Sequence, residues 1–205
     1  MNHEPFLIVV SAPSGTGKTT VLRKFMEICD GLFYSVSATT RKMRPGEVNG
    51  RDYIFLEKET FRYWIKEGKL LEWAEVYGEY YGTPRDPVTE NMELGRDVIM
   101  DLDVEGKRRL EAQFPDRLVS VFLYPPDRET LRKRLLSRGA EDEEKLKIRL
   151  GKAEEELRWA FEYEYWVVNE DIEKAALRLK SITEAERMKR RRARNIWLLD
   201  LIQDD

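Results

Sequence analysis

Near its start the chain carries the one stretch that most restricts what it can become. Phe6 to Ser11 (FLIVVS) is a short apolar run bounded by proline and glycine, the pattern of a strand buried on both faces. The glycine-rich turn Ala12 to Gly17 follows. Apolar residues then recur at Val21, Leu22, Phe25 and Ile28, so the spacing predicts an amphipathic helix over Lys18 to Ile28. A turn of this kind, between a buried strand and a helix, aims the helix N-terminus at whatever the turn holds.

The same residues fit the phosphate-loop pattern Gly-x-x-x-x-Gly-Lys-Ser/Thr, with Ala12 standing in place of the first glycine. The physics survives that change. Gly15 and Gly17 can take positive φ and turn backbone N–H groups toward a phosphate. Lys18 is expected to bridge the β- and γ-phosphates, and Thr19 to bind Mg²⁺ through its hydroxyl. Ala12, Pro13, Ser14, Gly15, Thr16, Gly17, Lys18, Thr19 and Thr20 therefore form the expected ATP-binding loop. The loop alone specifies a nucleoside triphosphate. A motor, a switch, a transporter ATPase and a small-molecule kinase all remain open.

Further along, Tyr34 to Arg41 (YSVSATTR) reads as a strand running into a loop, and Pro45-Gly46 and Asn49-Gly50 as turns. Asp52 to Leu56, Leu70 to Val76 and Tyr80 to Thr83 read as short strands. Thr60 to Lys66 reads as a helix capped by Thr60. This aromatic, strand-rich stretch, residues 35–95, is expected to be an inserted subdomain. Asp97 to Asp103 (DVIMDLD) is another apolar run, ending in acids, and Val104 to Phe114 is helical. Leu118 to Tyr124 (LVSVFLY) is a core strand stopped by Pro125-Pro126, and Arg128 to Leu136 is helical. A charged gap, Gly139 to Glu144, precedes a long amphipathic helix, Glu144 to Tyr163. Trp166 to Asn169 is a short strand and Glu170 to Met188 a final helix. Strands alternating with helices predict an α/β fold, a parallel sheet with helices on both faces.

Composition narrows the function. The 205 residues suit a single domain, residues 1–205. Charged residues make up 37%, against about 25% in an average domain, yet the net charge is only −3. A protein that coats nucleic acid would show a large positive sum. A disordered acidic chain would lack the 41% hydrophobic content. No apolar run approaches the roughly 18 residues that span a membrane. Met1 to Pro5 lacks the basic start of a signal peptide. Cys29 is the sole cysteine, which fits a reducing compartment, so a cytoplasmic protein is expected. His3 is the sole histidine, near a terminus expected to fray, which argues against histidine catalysis or a histidine metal site.

The stretch Ser35-Val-Ser-Ala-Thr-Thr-Arg41-Lys-Met-Arg44-Pro-Gly46-Glu47-Val-Asn-Gly50-Arg-Asp52-Tyr53 closely resembles the signature of guanylate kinases. Further matches keep order and spacing: Leu71-Glu72-Trp73-Ala74, Tyr80-Tyr81-Gly82-Thr83, Asp101-Leu102-Asp103, Arg134-Leu135 with Arg138-Gly139, Arg149-Leu150, and Val168-Asn169. The resemblance covers roughly residues 5–186. It implies a phosphate-loop nucleoside monophosphate kinase that moves the γ-phosphoryl group of ATP reversibly to GMP or dGMP. The implied fold is of the phosphate-loop NTPase type. Its core is 5–34, 96–137 and 150–188, the GMP-binding insertion 35–95, and the helical lid 138–149.

The resemblance also implies roles. Arg41 and Arg44 would hold the GMP phosphate, which a guanidinium fork matches bidentately, with Tyr53 and Tyr81 adding hydroxyls. Glu72 would read guanine, whose N1–H and N2–H₂ a carboxylate accepts together. Ser37 and Thr83 would meet the O6 and N7 edge. Asp101 and Asp103 end a strand at the ligand crevice. One would hold a Mg²⁺-bound water and the other GMP, and sequence does not divide those roles. With Lys18 and Arg41, the arginines Arg134, Arg138 and Arg149 resemble groups that close over the transferring phosphoryl. Asn169 would contact the ATP base or backbone.

Two competing classes are kept open. Guanylate-kinase-like modules of scaffold proteins bind partners without catalysis, but have damaged phosphate loops, whereas Lys18 and Thr19 are present. A kinase of another monophosphate is opposed by Glu72 and the Ser37 and Thr83 hydroxyls. Arg187, Lys189, Arg190, Arg191, Arg192 and Arg194 crowd the tail, residues 187–205, against Asp200, Asp204 and Asp205. A solvated helix end is the expected reading, ahead of RNA contact or an acidic partner. Ile196 to Ile202 is apolar and expected to pack on the core or to join a homo-oligomer.

Overall fold

A computed structural model describes residues 3–137 and 143–194. In chain order the elements are β1 (Leu7–Ser11), α1 (Lys18–Ile28), β2 (Leu32–Ser35), β3 (Ala38–Thr39), β4 (Ile54–Phe55), α2 (Lys58–Lys66), β5 (Leu70–Val76), β6 (Glu79–Pro84) and α3 (Arg85–Glu93). Then come β7 (Asp97–Asp101), α4 (Val104–Gln113), β8 (Leu118–Tyr124), α5 (Arg128–Leu136), α6 (Glu143–Arg158), β9 (Tyr165–Val168) and α7 (Ile172–Arg187).

The core is a parallel sheet in the order β2-β7-β1-β8-β9, with Ile8 beside Ile99 of β7 and Val119 of β8. Alternation along β1 sends its side chains to opposite faces. Ile8 and Val10 pack with Val21, Leu22 and Phe25 of α1 and with Ala175, Ala176 and Leu179 of α7. Leu7 and Val9 pack with Val88 of α3 and Leu110 of α4. Each of the buried valine, leucine and isoleucine side chains stabilises the fold by about 1.5–3 kcal/mol. The expected parallel sheet with helices on both faces is present.

A second sheet, β4-β3-β6-β5, is antiparallel at β3-β6 and β5-β6 and has its own core of Ala38, Phe61 and Leu70. The structure corrects the sequence reading here in several places. Tyr34 to Arg41 is not one strand: β2 ends at the buried Ser35 in the core sheet, and β3 begins three residues on in the second sheet. Of the expected strand 52–56 only Ile54–Phe55 forms a strand, against β3, while Tyr53 makes an isolated bridge with Asn49. The α2 helix starts at Lys58 behind Glu57 with no side-chain cap, so Thr60 lies inside it. The α3 helix has no counterpart in the sequence reading, and its Val88 packs with Leu7 and Val9 of β1. The long helix expected to reach Tyr163 ends at Arg158, and a short 3₁₀ turn, Trp159–Glu162, follows.

His3 is not frayed. Its Nε2 lies 2.9 Å from Oδ1 of Asp97, a fully buried carboxylate that also accepts from Phe6 N–H and from Arg187 Nε. The basic run is largely absorbed internally. Arg192 is buried, stacks over the Phe6 ring and pairs with the buried Glu186, which also meets Lys189. Arg194 pairs with Glu4. The apolar stretch 196–202 lies outside the described residues.

Candidate active site

The chain leaves β1 at the carboxyl edge of the core sheet and turns through 12–17 into α1. Gly15 and Gly17 take φ of 88° and 92°, conformations that L side chains rarely adopt. Space demands glycine as well. A Cβ on Gly15 would lie 2.8 Å from Leu135 Cδ2, and one on Gly17 would lie 3.0 Å from Asn169 Nδ2.

The loop is held from behind. The Thr16 carbonyl accepts from Asn169 Nδ2 at 2.7 Å and from an Arg134 terminal nitrogen at 2.9 Å. The other terminal nitrogen of Arg134 donates to the Asn169 carbonyl at 3.0 Å. Arg134 thus braces the loop backbone. Glu156 of α6, which sequence reasoning passed over, accepts from Ser14 N–H at 3.0 Å. Lys18 forms a close ion pair with Asp101 at the end of β7.

A cleft of about 730 Å³ opens beside Lys18, lined by Thr19, Tyr34, Ser37, Arg41, Arg44, Tyr53, Tyr81 and Asp101 among others. The fold therefore brings Ser37, Arg41, Arg44, Tyr53 and Tyr81 onto one cleft with Thr19 and Asp101, and Lys18 reaches its edge through the Asp101 pair. Arg41 is gripped by Glu47, whose two carboxylate oxygens accept from its two terminal nitrogens at 2.9 and 3.0 Å. Glu47 Oε2 also accepts from Arg44 N–H at 2.7 Å. The Arg41 guanidinium lies 5.2 Å from the Tyr53 ring centroid, a cation–π distance. Tyr53 meets Tyr81 edge to face. Burial pushes the Tyr53 and Tyr34 hydroxyls above the usual phenol range, with the nearby charge of Asp101 adding to the rise. Glu47 occupies a fixed position of the signature, but its grip on Arg41 is visible only in space.

Glu72 and Thr83 face each other across β5 and β6, and the Thr83 hydroxyl donates to Glu72 Oε1 at 2.7 Å. Glu72 is 8% exposed. Burial pushes its carboxyl above the usual range, against the Thr83 bond, with the charge of Asp103 adding to the rise and Arg109 opposing it. Asp103 itself caps α4, accepting from Gly106 N–H at 2.8 Å. The structure therefore places the paired acids differently: Asp101 by Lys18, Asp103 at a helix start beside Glu72. Arg149 is exposed on α6, and Arg138 lies outside the described residues.

The sequence pattern that defines the guanylate kinase family matches residues 5–186. The chain is 48% identical over 186 residues to a guanylate kinase of Lactococcus lactis subsp. lactis, covering 91% of this chain and 90% of that one. It is 41% identical over 198 residues to a guanylate kinase of Caldanaerobacter subterraneus subsp. tengcongensis, covering 97% and 96%. The crystal structure of guanylate kinase from Anaplasma phagocytophilum superposes with a TM-score of 0.79 at 33% identity, covering 98% of this chain and 94% of that one. With the family pattern matching residues 5–186 and relatives at 41–48% identity over nearly the whole chain, this chain belongs to the guanylate kinase family.

Proposed function

We propose that this guanylate kinase family enzyme transfers the γ-phosphoryl group of ATP reversibly to GMP, and to dGMP, within the cleft between the phosphate loop and the second sheet. The observation that carries the reading is the convergence of Lys18, Asp101, Arg41 and Tyr81 on one region, with the buried Glu72–Thr83 pair on the strands that supply Tyr81.

In this reading the backbone from Ala12 to Thr20 cradles the ATP phosphates, with Lys18 as point charge. Arg41, Arg44, Tyr53 and Tyr81 hold the GMP phosphate. Glu72 accepts both guanine donors, with Ser37 and Thr83 at the O6 and N7 edge. Adenine would leave the buried carboxylate unpaired, and a lost hydrogen bond of that kind discriminates by about 10⁴-fold. No general base is required, because the GMP phosphate is largely ionised at neutral pH and itself attacks. What the residues supply is in-line placement and positive charge. Arg134 and Asn169 contribute by fixing the Thr16 carbonyl; Asp103 fixes α4 beside Glu72. Arg138 and Arg149 would close over the phosphates and exclude water.

Thr19 and Asp101 line the same cleft and present hard oxygen donors, the set that Mg²⁺ takes alongside phosphates and waters. They are the residues that would hold it, and it would supply charge neutralisation on the phosphates. Among the described residues no helix is long and apolar enough to cross a membrane. A cytoplasmic location suits the free, buried Cys29 and the nucleotide substrates.

A coupled assay with ATP and each nucleoside monophosphate tests the reading. Turnover with GMP and dGMP and little with AMP is expected. Equal rates with AMP and GMP would overturn the Glu72 assignment.

A further inference from the structure

We propose that Tyr77 and Lys152 form a positioning contact that brings the GMP side of the cleft against the ATP side for transfer. The proposal rests on the assignment of the two sides made above. β5 and β6 are joined by the two-residue turn Tyr77-Gly78, with φ of 52° and 79°, and Val76 pairs with Glu79 across it. Positive φ at both central residues defines a type I′ turn, which favours Asn-Gly. Among the described residues Tyr77 is the only non-glycine with positive φ. Turn formation therefore gives no reason for tyrosine here. Nor does core packing, since Tyr77 is 89% exposed.

Its side chain instead meets α6. Lys152 Nζ lies 5.2 Å from the ring centroid and donates to the Tyr77 hydroxyl at 3.3 Å. One turn further along the same helix, Glu156 accepts from Ser14 N–H of the phosphate loop. Leu146, Leu150 and Ala153 pin α6 on Leu131 and Leu135 of α5, and Leu135 backs Gly15. So α6 is fixed to the ATP side and touches the tip of the hairpin that carries Glu72, Tyr81 and Thr83. A strand pair moves as a unit. Drawing its tip onto α6 carries the guanine reader and a phosphate-binding tyrosine toward the donor phosphates. A contact made across the two halves favours the arrangement competent for in-line transfer over more open ones.

The test uses Tyr77→Asn, a substitution that suits the turn while removing the contact, so folding does not confound it. Tyr77→Asn, Lys152→Gln and the double variant are compared by steady-state kinetics and thermal unfolding. Each single change is expected to lower kcat/KM for GMP about threefold, the size that an exposed cation–ring contact supports. The double variant is expected to be no slower than the singles, and Tyr77→Asn to unfold no earlier than the unmodified chain. Unchanged kinetics in Tyr77→Asn, or effects that multiply in the double variant, overturn the contact. Absence of GMP turnover in the unmodified chain overturns the underlying assignment instead.

Discussion

Glu47 grips Arg41 through both carboxylate oxygens and, with one of them, also closes the loop on Arg44 N–H. One acid thus sets the direction of one guanidinium and the backbone of the other. Gly46, with φ of 86°, makes the reversal possible. The expected consequence of Glu47→Gln is a GMP KM raised about tenfold, the effect of weakening one charge-assisted hydrogen bond. The ATP KM is expected to change little. Kinetics varied in each substrate separately check this; a lowered GMP KM would show that Glu47 competes with phosphate for Arg41.

Arg134 has the opposite signature. Its two terminal nitrogens reach two carbonyls, Thr16 and Asn169, which a lysine cannot do at once. Arg134→Lys is expected to raise the ATP KM about tenfold, as one buried carbonyl loses its charged donor, while the GMP KM stays near its original value. If both constants were unchanged, the brace would be dispensable.

In the proposed reading Glu72 couples specificity to pH. Its carboxyl titrates above the usual range because it is buried. The ionised form therefore costs stability at neutral pH, and that cost is relieved as pH falls through the raised value toward the unfolded one. Protonation also removes its capacity to accept two guanine donors. GMP affinity is expected to fall over the same acid window, with ATP affinity less affected. Glu72→Gln is expected to cut kcat/KM for GMP by about 10²-fold or more while leaving the protein at least as stable at neutral pH. Chemical denaturation beside the kinetics separates the two effects.

The tail arginine Arg192 is buried against Glu186 and Phe6, far from any assigned chemistry. Arg192→Ala strands a buried charge and is expected to cost about 3 kcal/mol, since Lys189 still faces Glu186. Unfolding by denaturant measures the loss, and GMP kinetics below the unfolding range are expected to be unchanged.

Much of the core was legible because β1, β7 and β8 are buried on both faces and read as unbroken apolar runs. β5 and the span of α1 were equally plain. The break at Ser35 was not, because small and β-branched residues continue through it while the chain passes between sheets. The α3 helix was hidden by its sparse apolar positions: it buries little beyond Val88. The glycine-rich loop was readable as a motif, since Gly15 and Gly17 take positive φ, whereas Arg41 and Arg44 stood out only through resemblance to the guanylate kinase signature. Which acid meets Lys18, which arginine faces a carbonyl, and what Glu47 and Glu156 hold depend on neighbours distant in sequence. No local spacing encodes those relations.

The position of α3 has one more consequence. β2 and β7 are parallel neighbours, and a parallel pair needs a crossover, usually a helix. α3 is that crossover. The whole second sheet is spliced between β2 and its own connecting helix. The insert is not loose, since its Leu71 packs with Leu7 and Val9 of β1 and its Leu71 and Trp73 carbonyls accept from Gln113 and Arg109 of α4. In the proposed assignment, the residues that would recognise the acceptor, Arg41, Arg44, Tyr53, Glu72, Tyr81 and Thr83, thus all lie in one insert within a strand–helix–strand unit of the core sheet.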